Sequence, residues 1–137
     1  MRASLLLLSS LTLFTLPGCA AHAGADHALA DTSWRFVTID GAPVTSKTAR
    51  LKFEGDRLGA NVGCNSMGGP WRVEEQRLLA GPLNQTEMYC DGPVWNQERA
   101  TSLLLAAAPQ VEISGDRLEL RSSGHSAELE RIIPNEN

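Results

Sequence analysis

The sequence predicts an α+β domain in which a curved, barrel-like antiparallel sheet of about seven short strands packs on one α-helix. Three observations carry that prediction. Short segments of alternating apolar and polar residues recur along the chain, punctuated by Asp-Gly, Gly-Asp and Gly-Pro pairs, the pattern of strands joined by tight turns. Connections this short exclude parallel pairing, whose crossovers take roughly a dozen residues or more. One longer segment, residues 93–108, is different in kind, rich in Ala and Leu and bounded by Pro93 and Pro109.

The chain opens with Arg2 and an apolar run from Leu5 to Leu16 interrupted only by Ser and Thr. About twelve such residues are too few to span a bilayer, which takes roughly 20, so residues 1–18 read as an export signal. Leu16-Pro17-Gly18-Cys19 resembles the bacterial lipobox, although Pro17 stands where a small residue is usual. In that reading Cys19 becomes the first residue and carries acyl chains such as palmitate. The resemblance extends to Ala20, which implies the outer membrane, with the domain facing the periplasm. Ordinary cleavage after Ala21-His22-Ala23 is the rival and gives a soluble periplasmic protein. Residues 19–30 are Ala-rich without a packing pattern and read as a flexible tether. His22, Asp26 and His27 on that tether are too loosely placed to make a metal site.

The folded domain is expected over residues 31–133, followed by a polar tail, 134–137. Ser33 to Ile39 alternates, with Trp34, Phe36 and Thr38 on one face and Arg35, Val37 and Ile39 on the other. Asp40-Gly41-Ala42-Pro43 turns the chain. Leu51 to Glu54, Gly55-Asp56 and Arg57-Leu58 read as a hairpin, and the same phrase recurs around Gly115-Asp116. Gly68-Gly69-Pro70 is expected to break the chain before a short strand, Trp71 to Glu74, and Gly81-Pro82 closes another, Arg77 to Ala80. The helix follows, with Asp91 as candidate cap and Ala100, Leu103, Leu104 and Ala107 on a broad covered side, Leu104 against the sheet. Ala127 to Ile132 is the last strand.

Lys and Arg number 12 against 16 Asp and Glu, and loss of Arg2 with the leader makes the balance more acidic still. No basic block remains, which argues against nucleic acid as a partner. Of the 3 cysteines, Cys64 and Cys90 are the pair left once Cys19 is lipidated. In an oxidising compartment they are expected to form a disulfide. It would close a loop of about 27 residues and contribute roughly 3.5 kcal/mol by chain entropy.

Gly63-Cys64-Asn65, Gly69 with Trp71, Thr86-x-Met88-x-Cys90, Glu98 and the Gly-Asp-x-Leu-x-Leu hairpin, opened by Thr32-x-Trp34, occur here in a fixed order. Together they resemble the META domain, the HslJ-like family of small bacterial envelope proteins. The family motif falls on Gly63, Asn65, Thr86, Met88 and Glu98. Met67 stands where an aromatic ring is usual, and Glu87 replaces a commonly basic position. The resemblance implies an antiparallel sheet with one helix, an envelope address, an association with heat or antibiotic stress, and no established catalytic reaction.

The residues themselves point the same way. His125, the one histidine within the folded region, sits in a polar hairpin tip, and no nucleophile, base and orienting group fall together. No cofactor motif is present, and two cysteines with one distant histidine do not supply the four ligands of structural zinc. Glu98, on a helix rich in apolar residues, needs hydrogen-bonding company, expected from Thr86 or an arginine, as an anchor between helix and sheet. Asn65 and Thr86 are expected to organise the cysteine crossing.

The leading functional reading is thus a non-catalytic, monomeric envelope lipoprotein with a binding or structural role. Its membrane contact is the lipid anchor, and its partner is an envelope protein. An inhibitor-type module acting on a lytic enzyme or protease is the alternative, and a hydrolase of wall or lipid material a third. The mass of protein extracted from membranes checks the address. It should match a chain that begins at Cys19 and carries acyl groups; a soluble product beginning at Gly24 is the contrary result.

Overall fold

The computed structural model describes residues 24–134; the leader, the lipobox and Cys19 lie outside them. The first elements are α1 (Ala25–Leu29), β1 (Ser33–Ile39), β2 (Ala42–Pro43), β3 (Arg50–Glu54), β4 (Arg57–Asn61) and β5 (Ser66–Glu74). They are followed by β6 (Arg77–Ala80), β7 (Asn84–Gln85), α2 (Pro93–Ala106), β8 (Gln110–Ser114), β9 (Arg117–Arg121) and β10 (Ser126–Arg131).

Eight strands form an antiparallel ring in the order β1-β3-β4-β5-β6-β8-β9-β10, and β10 returns to β1 with Trp34 opposite Arg131. The two-residue strands β2 and β7 hang on β1 and β5. Closure removes the exposed strand edges that an open sheet would present. The α+β, barrel-like architecture is therefore as expected, with one barrel strand more than the alternation suggested.

The two Gly-Asp turns do equivalent work. Glu54 pairs with Arg57 across Gly55-Asp56, and Ser114 pairs with Arg117 across Gly115-Asp116. Both glycines have positive φ, the conformation that makes a two-residue hairpin match the twist of its strands. Two local features were hidden in the sequence. The register of β1 against β10 shifts between Phe36 and Thr38, and this bulge turns Ile39, rather than Thr38, into the core. Gly68-Gly69-Pro70 does not break the chain but lies inside the nine-residue β5. A Cβ on Gly69 would stand 2.4 Å from the Pro82 carbonyl oxygen, so glycine here permits close backbone approach.

The barrel interior is filled by Trp34, Phe36, Leu51, Phe53, Leu58, Leu78, Leu118, Leu120 and Leu129, all nearly inaccessible. Met67 joins them, so the position usually aromatic is packed here by a thioether. Helix α2 touches both β6 and β1, which stand on opposite sides of the ring, and so lies across one end of the barrel. Gln97 fastens it there, accepting from the Thr45 amide at 2.9 Å and donating to the Pro43 carbonyl at 2.8 Å. Helix α1 lies by β5 and β8 and sends Leu29 fully into the core. Ala25 to Leu29, expected within the tether, thus fold with the domain. A single leucine anchor is too sparse a signal to read as a pattern.

Helix α2 also differs from expectation at its ends and faces. It stops at Ala106 and begins after Gly92, whose φ is 74°; Asp91 makes no helix cap and instead accepts from the Gly92 amide. Leu104, Leu105, Ala100, Thr101 and Glu98 face inward, whereas Leu103 is 47 % exposed and Ala107 is also exposed. The helix covers the barrel with one stripe and leaves the other to solvent.

At the β1–β10 seam, Asp40 accepts from the Ser126 amide at 2.9 Å and lies 2.8 Å from His125 Nδ1. Burial pushes the Asp40 carboxyl up, but the Ser126 amide and the hydrogen bond and charge of His125 outweigh it, leaving the group below its ordinary value. Its contribution to stability is complete above the ordinary carboxylate range and is lost as pH falls through the lowered value.

The helix faces give the first structural test. Leu104→Ala should destabilise the fold by about 2–5 kcal/mol in urea denaturation, as large-to-small core changes do. Leu103→Ala, on the exposed stripe, should stay within about 0.5 kcal/mol of the parent.

Candidate functional site

Two irregular segments meet beside the N-terminal half of α2. One is the turn between β4 and β5, residues 62–65; the other runs from Thr86 to Gly92, between β7 and α2. Gly63 has a φ of 153°, and its amide donates to Asn61 Oδ1 at 3.0 Å. A Cβ on Gly63 would meet Val94 at 3.0 Å, so glycine lets the turn lie close to the helix start. The disulfide between Cys64 and Cys90 then joins the two segments, with Cα atoms 6.2 Å apart.

Residues 86–92 have few sheet partners, and their backbone groups must be satisfied by other means. Asn65 does much of this. Its Oδ1 accepts from the Met88 amide at 2.8 Å and from Thr86 Oγ1 at 2.9 Å, and its Nδ2 donates to the Met88 carbonyl at 3.0 Å. Thr86 Oγ1 in turn accepts from the Ser66 amide at 3.1 Å. Asn65 also grips the helix. Its amide donates to Glu98 Oε2 and its Nδ2 to Glu98 Oε1, each at 2.7 Å, while Gln85 Nε2 reaches Oε1 at 3.0 Å. Both Asn65 and Glu98 are 1 % exposed.

The sequence-selected residues Gly63, Cys64, Asn65, Thr86, Met88, Cys90 and Glu98 therefore gather in one place. Two details differ from expectation. Thr86 supports Glu98 only through Asn65, and no arginine pairs with Glu98 among the described residues; its partners are amide N–H groups. Met88 enters through its backbone, and its side chain is 57 % exposed. Gln85, whose amide completes the shell around Glu98, was missed, since a lone Gln at a strand end carries no pattern.

Above this buried network lies an open cleft of about 470 Å³, lined by Gln85, Thr86, Glu87, Met88, Tyr89 and Trp95 around Asn65. Tyr89 is 88 % exposed and Trp95 42 %. The hydrogen-bonding capacity of Asn65 is fully used by the protein, so any ligand in the cleft meets aromatic and thioether walls with the polar rim of Thr86 and Glu87. His125 lies elsewhere, at the barrel seam with Asp40. Cys64 Sγ, Cys90 Sγ and a Glu98 oxygen lie within 4.8 Å of one another, but sulfurs bonded to each other offer no thiolate to a metal.

The META domain family model matches residues 27–132. No curated protein matches the chain in sequence. Among solved structures, one determined by NMR superposes with a TM-score of 0.69 at 21 % identity, covering 77 % of this chain and 92 % of its own. A second NMR structure, of a protein from Burkholderia xenovorans, gives 0.64 at 21 % identity, covering 88 % and 99 %. A crystal structure of a DUF4847 family protein from Bacteroides vulgatus gives 0.55 at 14 % identity, covering 78 % and 96 %. At these identities the likenesses speak to the fold alone.

The Asn65–Glu98 contact yields a stability test. Asn65→Asp keeps the shape but sets a carboxylate oxygen where an N–H donated to Glu98. The variant should lose about 3 kcal/mol or more at pH 7, from the broken bonds and the like-charge contact. Urea denaturation of the variant beside the parent chain reads the loss.

Proposed function

This chain belongs to the META domain family, and from that membership and the geometry of the cleft we propose that it is a non-catalytic, lipid-anchored binding domain of the cell envelope. The observation that carries the reading is the exposure around one cleft of Met88 and Tyr89, on a segment whose backbone is already fixed by Asn65 and the disulfide, beside Trp95 of α2. Large aromatic side chains held in place supply contact area at low entropic cost, which is what protein-binding surfaces select. The same cluster lacks a nucleophile with an adjacent base, and the polar atoms beneath the cleft are engaged in holding the fold.

The export signal and lipobox support an outer-membrane anchor at Cys19, with the monomeric domain facing the periplasm and an envelope protein as partner. A role under heat or antibiotic stress follows the family resemblance. A second reading, an inhibitor-type module acting on a lytic enzyme or protease, draws on the shape of the segment itself: a disulfide-tied loop presenting one almost fully exposed tyrosine.

Recovery of the tethered protein from intact cells after cross-linking, followed by affinity measurement on the captured partner, tests the proposal. Tyr89→Ala with Trp95→Ala should weaken that affinity at least about tenfold, the effect of losing a hot spot, while the melting temperature changes little. Unchanged capture would take the contact surface away from the cleft.

A further inference from the structure

We propose that, when the disulfide is reduced, Cys64, Cys90 and Glu98 form a binding site for one zinc-class divalent cation. The inference rests on the geometry beneath the cleft and is independent of the binding role above. The two sulfurs and a Glu98 oxygen already lie within 4.8 Å of one another. Tetrahedral zinc, with bonds of about 2.3 Å to sulfur and 2.0–2.2 Å to oxygen, separates its ligand atoms by roughly 3.5–3.8 Å. Once the sulfur–sulfur bond opens, the three donors need only side-chain adjustment to reach that spacing.

The surroundings of Glu98 also suit a ligand. Its carboxylate is 1 % exposed, and no Lys, Arg or His pairs with it among the described residues. Asn65 and Gln85 orient it through N–H bonds, as the residues behind a metal-bound carboxylate do. Two thiolates and a carboxylate around a doubly charged cation leave one net negative charge, in place of a lone buried carboxylate. Both cysteines are half-buried, which leaves a path for the ion and an open fourth position for water. Sulfur donors select zinc, cobalt or cadmium over magnesium or calcium.

The chemistry balances with a dithiol as reductant. It delivers two electrons and two protons, becoming a disulfide itself, while the Cys64–Cys90 bond breaks to two thiols; cation binding then releases both thiol protons to solvent. Oxidised and metal-bound states exclude one another, yet each joins the same two segments.

Cobalt titration of the purified full chain, reduced and kept free of oxygen, is the test. The expected result is a thiolate-to-cobalt absorption band that saturates at one equivalent, is absent from the oxidised chain and is lost in Cys64→Ser and in Cys90→Ser. Reduction alone should lower the melting temperature, and the cation should restore part of it. Glu98→Gln should weaken binding at least tenfold. Because that variant also disturbs Asn65, X-ray absorption of the reduced, zinc-loaded parent provides a separate readout and should show two sulfur neighbours with oxygen. The absence of a band, a shell of sulfur alone or one containing nitrogen, or affinity unchanged in a folded Glu98→Gln chain would overturn the proposal.

Discussion

The contact on which the candidate-site end of the barrel depends is the one between Asn65 and Glu98. A carboxylate taken out of water loses several kcal/mol of solvation unless donors replace it, and here three amide N–H groups do so, with no cation beside it among the described residues. Asn65 is suited to the place because it offers two donors and an acceptor with two lone pairs on one short side chain. It satisfies a carboxylate on one side and both backbone groups of Met88 on the other. Helix, β-turn and irregular segment therefore share one residue. Aspartate, leucine or serine there would each leave some buried group unpaired.

The barrel supplies the rigidity that this contact needs. Asn65 sits immediately before β5, the longest strand, and Gln85 ends the short strand that pairs with Met67 and Gly68. Glu98 rides on a helix pinned at opposite walls. The donors and acceptors are thus fixed by three elements that the closed sheet holds together, so their alignment costs little further entropy. The absence of a side chain on Gly69 belongs to the same design, since it lets Pro82 and the backbone before β7 approach β5, while a Cβ on Gly68 would stand 3.0 Å from the Leu58 carbonyl oxygen of β4.

Much of this was legible in the sequence. Alternation at Ser33–Ile39 and Leu51–Glu54, the repeated Gly-Asp-Arg-Leu phrase and the proline-bounded helix were enough to specify an antiparallel α+β domain. The cysteine count paired Cys64 with Cys90, and Glu98 stood out as a carboxylate among apolar neighbours. What escaped the sequence depends on contacts between distant segments. The bulge at Phe36/Thr38 lies in the pairing of β1 with β10, at the other end of the chain, and the glycine at position 69 answers to a carbonyl thirteen residues away. Gln85 and the exposure of Tyr89 depend on how the loop folds over Asn65. Leu103 read as core because Ala and Leu look alike on either face of a helix until its neighbours are known.

The disulfide and the Asn65 network hold the same two segments, but they act on different states of the chain. A cross-link stabilises chiefly by restricting the unfolded ensemble and needs no particular arrangement of polar groups. The network exists only in the native state, where it fixes the path of residues 86–90 and satisfies their backbone. Removing the cross-link therefore shifts the folding equilibrium while leaving the reasons for the loop's shape in place. Removing Asn65 erases the shape even where the sulfurs stay joined. For the segment that carries Met88 and Tyr89, the hydrogen bonds set the shape and the disulfide its persistence.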